Sequence, residues 1–224
     1  MTGWTVVVPV KRLEDAKSRL DLAGTDRERS EVALALALDT IHAALVAPRV
    51  TGVVIVTGEP RVRDAVGSHP LVHLVADPGA GLNAALTAGI RVAGGLAGRV
   101  ADGGADRTSG VAVLLGDLPA LTGADLGAAL LLAAEHPLAL VADADGTGTT
   151  LLTARAGEAL VPRFGPGSRA AHEAAGHHLV AGSPGLRRDV DTAADLRVAA
   201  RLGVGRATAA VLRRPPVYCR LDGR

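Results

Sequence analysis

Aromatic residues are scarce in this chain: phenylalanine, tyrosine and tryptophan occur once each in 224 residues, although 48% of the sequence is hydrophobic. Its core must be built from Ala, Val and Leu. Sequence-tolerant binding of single strands and most RNA recognition need aromatic platforms on which bases stack, and three scattered rings do not supply one. An excess of one charge is missing too. Lys and Arg number 24 against 23 Asp and Glu, which leaves no broad basic field for a polyanion or an anionic membrane. Any anion bound here must be small and held locally. The single cysteine, Cys219, excludes an intrachain disulfide and a thiolate metal site, so nothing points to an oxidising compartment. Long apolar runs are absent as well. The run Thr5 to Val10 is short and is followed by Lys11 and Arg12, unlike a secretory signal. The best membrane candidate, Leu126 to Val141, is interrupted by Glu135, His136 and Pro137. The expectation is a soluble cytoplasmic protein that binds neither nucleic acid nor membrane.

Familiar catalytic motifs are missing in their turn. His172-Glu173-Ala174-Ala175-Gly176-His177 spaces its histidines one residue too far apart for the zinc-protease H-E-x-x-H, and the remaining histidines are scattered. There is no G-x-S-x-G elbow and no G-x-x-x-x-G-K-[ST] loop.

What is present is an alternation of strand-length apolar runs with longer helical segments. Strands are expected at Thr5–Val10, Val53–Thr57, Leu71–Val75, Val111–Leu115, Leu138–Val141 and Thr149–Thr153. Most are continuously apolar, as suits strands buried on both faces of a mostly parallel sheet. The first helix is marked by a Thr25-x-x-Glu28 capping box ahead of an Ala- and Leu-rich stretch to Val46. Further helices are expected from Leu82 to about Ala93, from Thr122 to Glu135 and from Thr192 to Leu202. The pattern predicts an α/β three-layer sandwich of Rossmann-like type, forming one domain over residues 1–212. Residues 94–110, rich in Gly and Asp, read as a flexible connection, and 213–224 as a loose tail.

In such sheets ligands bind beyond the carboxyl ends of the strands, so the segments that follow them carry the functional expectations. After the first strand, Pro9 leads into Lys11, Arg12, Lys17 and Arg19, four cations within nine residues. They form either a clamp for a polyphosphate, with Lys as a point charge and Arg as a fork, or a solvated loop. After the third strand, Asp77-Pro78-Gly79-Ala80-Gly81-Leu82-Asn83 resembles a dinucleotide fingerprint but follows the wrong strand of the unit. A glycine turn that lets backbone approach a nucleotide, with the Asn83 amide offered to a base edge, fits better. Asp117, in Gly116-Asp117-Leu118-Pro119 at the end of the fourth strand, is placed to hold Mg²⁺ or to cap a helix. Asp189 and Asp191 precede a later helix, where one could cap it while the other faces the metal. Gly146-Thr147-Gly148-Thr149-Thr150 and Arg163-Phe164-Gly165-Pro166-Gly167-Ser168-Arg169 are rich in small donors, and Ser168 is either an anion ligand or a plain cap.

The segments VVVPVKRLEDAKSRL, DPGAGLNAAL, GDLPAL, DADGTGTTLL, RFGPGS and DVDTAADL, in this order from about Trp4 to Leu212, resemble the guanylyltransferase family of coenzyme F-420 biosynthesis. The resemblance implies a nucleotidyltransferase-type fold related to the molybdopterin guanylyltransferases, and a reaction joining GTP to phosphoenolpyruvate or 2-phospho-L-lactate. It implies phosphoenolpyruvate contacts at Thr150, Gly165 and Ser168, Mg²⁺ aspartates at Asp117 and Asp191, and nucleotide contacts at Lys17, Gly81 and Asn83, beside Pro9, Lys11 and Arg12. The product would pass to a downstream transferase. The G-x-G-T-R-M loop of the wider superfamily is replaced here by the cation run after Pro9.

The implied chemistry suits these residues. A phosphate monoester, with a second pKa near 6, is mostly dianionic at about pH 7 and attacks the α-phosphorus of GTP without a general base. Charge neutralisation and alignment do the rest, which Lys17, Asp117 and Asp191 would supply as catalytic residues. The alternatives are a nucleotidyltransferase with a molybdopterin or sugar-phosphate acceptor, and a GTP-binding sensor without turnover.

Overall fold

A computed structural model describes residues 3–13, 25–102 and 109–214, with backbone alone for 97–102. Its centre is a sheet of seven strands in the order β3-β2-β1-β4-β6-β5-β7. The all-buried run WTVVVPV forms β1 (Trp4–Val10), paired in parallel with β2 (Val50–Thr57) and β4 (Gly110–Leu114). The edge strand β3 (Val72–Val75) runs parallel to β2. Beyond β4 the hand changes: β6 (Thr149–Ala154) lies antiparallel to both β4 and β5 (Leu138–Ala142), and the two-residue β7 (His178–Leu179) runs parallel to β5. The sheet is mostly parallel, as the continuous Val runs predict.

Alternate residues of the strands face two helical layers. Val6, Val8, Val53 and Ile55 pack against Ile41 of α1 (Asp26–Val46) and Leu126 of α4 (Gly123–Ala133). On the other face, Val7, Val54 and Val56 pack against Ala85 and Leu86 of α3 (Leu82–Asp102). A Cβ at Gly89 would stand 2.4 Å from Val7 Cγ1 and 2.7 Å from Val56 Cγ2, so this glycine is what lets α3 lie directly on the sheet. Phe164, 8% exposed, joins this second layer, and Trp4 is fully buried. Two of the three rings thus serve as core.

The capping box of α1 forms as expected, with the Glu28 N–H donating to Thr25 Oγ1 at 3.3 Å and the Thr25 N–H to Glu28 Oε2 at 2.7 Å. Helix α1 is buried on nearly every side because short helices cover it. The Asp39 carboxylate, 7% exposed, accepts the N–H groups of Ala207 and Thr208 at 2.9 and 2.8 Å and so caps α8 (Arg206–Leu212) onto it.

Four elements were not expected from the sequence: β7, α2 (Pro60–Val66), α6 (Pro184–Arg187) and α8. The helices among them have seven, four and seven residues, too short for a periodic pattern. Pro at the first helical position was their legible signal in α2 and α6. The reading of 94–110 as a flexible connection needs correcting at its start, because α3 continues to Asp102. The apolar series Leu82, Leu86, Ile90, Ala93 and Leu96 holds it to the sheet through Gly94 and Gly95. The tail expected from 213 begins with residues that close α8, Arg214 pairing with Glu31 at 3.0 Å; its remainder, with Cys219, lies outside the described residues.

Candidate active site

The strand order reverses direction between β1 and β4, and the crevice at such a switch point is where an α/β sheet binds its ligand. Two adjoining cavities open there, of about 290 and 360 Å³, sharing Pro9, Val10, Lys11 and Leu82 as walls. One is lined further by Asp117, Asp189 and Asp191, the other by Arg12, Gly58, Asp77, Gly79 and Gly81. The crevice is therefore acidic toward β4 and carries Arg12 and the glycine turn toward β2 and β3. Lys11 stands at the junction.

On the cation side, the chain leaves β1 and turns at Leu13, whose N–H donates to the buried Glu59 Oε2 at 3.2 Å. Arg12 lies over Gly58, where a Cβ would meet its Nε at 3.4 Å. Lys17 lies outside the described residues. The glycine turn is built by Asp77, whose Oδ1 accepts the Gly79 N–H at 2.9 Å. Gly79 and Gly81 adopt φ of 72° and 89°, with no described residue within 4 Å of an added Cβ, so glycine is needed here for backbone conformation. Asp77, with its carboxylate at this cavity, received no role from the sequence.

On the acidic side, Asp117 follows Gly116, where a Cβ would lie 2.5 Å from the Pro9 carbonyl oxygen. That close approach draws the end of β4 against the end of β1. The Asp117 carbonyl accepts the Val190 N–H at 3.1 Å, which brings the Asp189-Val190-Asp191 segment alongside. The expectation that Asp189 or Asp191 caps the next helix is corrected here. The cap of α7 (Ala193–Leu202) is Thr192, in a box with Asp195, because its hydroxyl is one residue nearer the helix start. Both earlier acids line the cavity instead. Burial first, then the neighbouring Asp117 and Asp191 charges, raise the Asp189 carboxyl to about 7. Asp117 leaves helix capping to Thr122, which caps α4.

The donor-rich segments lie next to this crevice and form walls of neither cavity. Thr150 on β6 is fully buried, its carbonyl accepts the Leu115 N–H at 3.0 Å, and its hydroxyl has no hydrogen-bond partner among the described residues. The turn before it is folded by Asp143, which accepts the N–H groups of Thr147 and Gly148 at 2.9 and 2.8 Å. Gly165 has a φ of 142°, and its carbonyl accepts the Ser168 N–H at 3.0 Å. Ser168, 3% exposed, opens α5 (Ser168–Ala174), and Gly167 takes the cap position that was one alternative for Ser168. Asn83, expected at a base edge, is paired with this loop: its Nδ2 donates to the Phe164 carbonyl and its Oδ1 accepts the Phe164 N–H, both at 2.9 Å.

Beneath this loop His172 is fully buried. The Arg163 N–H donates to its Nε2 at 2.9 Å, so the ring proton sits on Nδ1 and points to Thr149 Oγ1 at 3.0 Å. Burial, with the His177 and Arg163 charges, lowers its pKa to about 4, and it is a neutral structural group.

Among the described residues no three His, Cys, Asp or Glu side chains form a ready-made metal cage. The carboxylates of Asp117, Asp189 and Asp191 are nevertheless hard oxygen donors gathered at one cavity, where burial and then the two neighbouring charges raise Asp189. Such a set fits Mg²⁺, which takes one or two carboxylates and completes its shell with water and substrate phosphates. No helix among the described residues is long and apolar enough to cross a membrane.

The fold, a seven-stranded, mostly parallel sheet with a switch-point crevice, is of nucleotidyltransferase type. It is similar to a putative nucleotide-diphospho-sugar transferase from Desulfovibrio desulfuricans G20 (TM-score 0.59, 18% identity, covering 100% of this chain and 95% of that one). It is also similar to a 4-diphosphocytidyl-2C-methyl-D-erythritol synthase (TM-score 0.54, 15% identity, 89% and 98%). Residues 4–214 match the family described as guanylyl transferase CofC like, and the chain belongs to that family. Relatives named phosphoenolpyruvate guanylyltransferase include those of Salinispora arenicola (48% identity over 92% of both chains) and Geodermatophilus obscurus (47% over 94% of both). That of Sanguibacter keddieii is 45% identical over 94% of this chain and 84% of its own.

Proposed function

We propose that the protein is a phosphoenolpyruvate guanylyltransferase, transferring GMP from GTP to the phosphate of phosphoenolpyruvate and releasing pyrophosphate. The observation that carries this reading is the shared cavity wall: Lys11 stands between the acids Asp117, Asp189 and Asp191 and the glycine turn of Gly79 and Gly81. A triphosphate along that wall would have cations from the β1 end and open backbone from the turn, with the carboxylates next to its α-phosphate end. Lys11, Arg12 and Lys17 neutralise phosphate charge in this assignment.

Asp117 and Asp191, with Asp189 beside them, would hold Mg²⁺, which when bound supplies charge neutralisation and alignment for the in-line displacement. The acceptor phosphate oxygen forms the new bond to the α-phosphorus of GTP as the bond to the pyrophosphate oxygen breaks. No residue need remove a proton, since the acceptor phosphate is already dianionic. The acceptor lies against Thr150, Gly165 and Ser168. The enzyme acts in the cytoplasm as a single domain over 1–212 and hands its guanylated product, in the formation of coenzyme F-420, to a transferase that consumes it.

The test is to incubate the protein with GTP, Mg²⁺ and either phosphoenolpyruvate or 2-phospho-L-lactate, following pyrophosphate release and the mass of the guanylated product. Phosphoenolpyruvate is expected to be the better acceptor. Pyrophosphate release with neither would overturn the reading, and a preference for 2-phospho-L-lactate would reassign the acceptor.

A further inference from the structure

We infer that Asn83 is a positioning residue for the acceptor loop and not a ligand of the nucleotide. The inference rests on the reading of Gly165 and Ser168 as acceptor contacts. Asn83 opens α3 beside Leu82, a wall of both cavities, and its amide closes a two-point clamp on the peptide of Phe164, 81 residues away. Among side chains of this length, only a carboxamide offers a donor and an acceptor together; aspartate cannot donate to the Phe164 carbonyl, and leucine does neither.

The clamp is one of three holds on the same short segment. His172 accepts the Arg163 N–H at 2.9 Å. The Phe164 ring is buried in the α3 layer and stands edge-on to His172, with centroids 5.0 Å apart at 67°. The next residue is Gly165, at a φ of 142°, whose carbonyl starts the turn into Ser168. Fixing the Phe164 peptide therefore sets where Gly165 and Ser168 stand relative to the nucleotide turn at Gly81. An acceptor that must attack in line depends on that placement, because small displacements cost effective concentration. Nucleotide affinity does not depend on it.

The experiment compares the full-length wild type with Asn83→Asp and Asn83→Leu. Pyrophosphate release is measured against phosphoenolpyruvate concentration at saturating GTP and Mg²⁺, GTP affinity by equilibrium binding without acceptor, and Phe164 amide exchange by NMR. Both variants are expected to raise the KM for phosphoenolpyruvate about tenfold or more, as loss of a buried amide pairing would, while leaving the GTP Kd within about twofold. Phe164 amide exchange should be faster in Asn83→Leu. A GTP Kd raised as much as the acceptor KM, or an unchanged acceptor KM, overturns the inference. If the wild type itself shows no acceptor-dependent release, the functional reading fails instead. The hold of Asn83 on the loop is then decided by exchange alone: faster in Asn83→Leu supports it, unchanged overturns it.

Discussion

The hydroxyl of Thr40, in the second half of α1, accepts the N–H of Leu118 at 2.9 Å while donating to the Leu36 carbonyl at 3.0 Å. Both ends of this link are buried, Thr40 and Leu118 each being fully inaccessible. A threonine that bonds back to its own helix gives that helix no advantage. The bond to Leu118 gives it one, by pinning the chain one residue after Asp117.

Thr40→Val keeps the shape and removes the acceptor, leaving a buried N–H unsatisfied at a cost of about 1–3 kcal/mol. We expect lower thermal stability, and beyond it a higher Mg²⁺ concentration for half-maximal turnover, since the Asp117 carboxylate is no longer held. Thr40→Ser should restore both. Thermal melts and a Mg²⁺ titration of pyrophosphate release check this; a Thr40→Val enzyme with wild-type Mg²⁺ dependence would separate Thr40 from the site.

Much of this was legible in the sequence where cause and effect are local. The Val runs read as buried strands, Thr25 and Glu28 announced α1, and Asp117 was placed at the crevice by its position after β4 alone. The links that assemble the site were not legible, because they join residues far apart in the chain by single hydrogen bonds. Nothing in the spacing of Asn83 and Phe164, or of Thr40 and Leu118, indicates that they meet. Asp189 and Asp191 were visible as a pair, but which residue capped α7 depended on the geometry of Thr192. His172, considered in the sequence only as part of a rejected H-E-x-x-H spacing, is a core residue whose two ring nitrogens organise the loop above it.

Asp189 gives the ligand-free protein a pH dependence of definite sign. Its folded-state carboxyl holds a proton up to about 7, through burial and then the Asp117 and Asp191 charges, against an ordinary value of 3.8. The folded state binds this proton more tightly than the unfolded chain does. Its contribution to stability is therefore complete below about pH 4 and is lost as pH rises through about 7. Asp189→Asn should lack this decline. Melting temperatures of both proteins from pH 4 to 8 without Mg²⁺ measure the difference, and parallel curves would remove Asp189 as its source. Adding Mg²⁺ at pH 8 should raise the wild-type melting temperature more than that of Asp189→Asn.

His172 works in the opposite direction. Its pKa falls from 6.5 to about 4, chiefly by burial, so the unfolded chain takes up the proton first as pH drops. The stability that neutral His172 contributes is present above about pH 6.5 and lost as pH falls toward about 4. His177, lowered by burial as well, adds to the same trend. His172→Gln should be less stable at pH 7, having lost the bond from the Arg163 N–H, yet should lose less further stability between pH 6.5 and 4. The check is the slope of melting temperature against pH for the two proteins. An equal slope would mean that His172 is not the group being titrated.

The last prediction separates a glycine required by contact from one that is merely tolerated. A methyl group on Gly116 would lie 2.5 Å from the Pro9 carbonyl oxygen, a backbone atom that cannot rotate away. Either the end of β1 or the Asp117 loop must shift, and both form walls of the acidic cavity. Gly116→Ala should cost about 1–3 kcal/mol of stability, as overpacking does. It should also reduce turnover at saturating substrates more than it raises the KM for GTP, because it displaces the carboxylates more than the glycine turn. Gly94, by contrast, is an exposed position inside α3 with no described residue within 4 Å of an added Cβ. Gly94→Ala should raise stability by about 0.5–1 kcal/mol through helix propensity and leave turnover unchanged. Denaturant unfolding and steady-state kinetics on the two variants decide the matter. If Gly116→Ala behaves like Gly94→Ala, the close approach of β4 to β1 is not what holds Asp117 at the crevice.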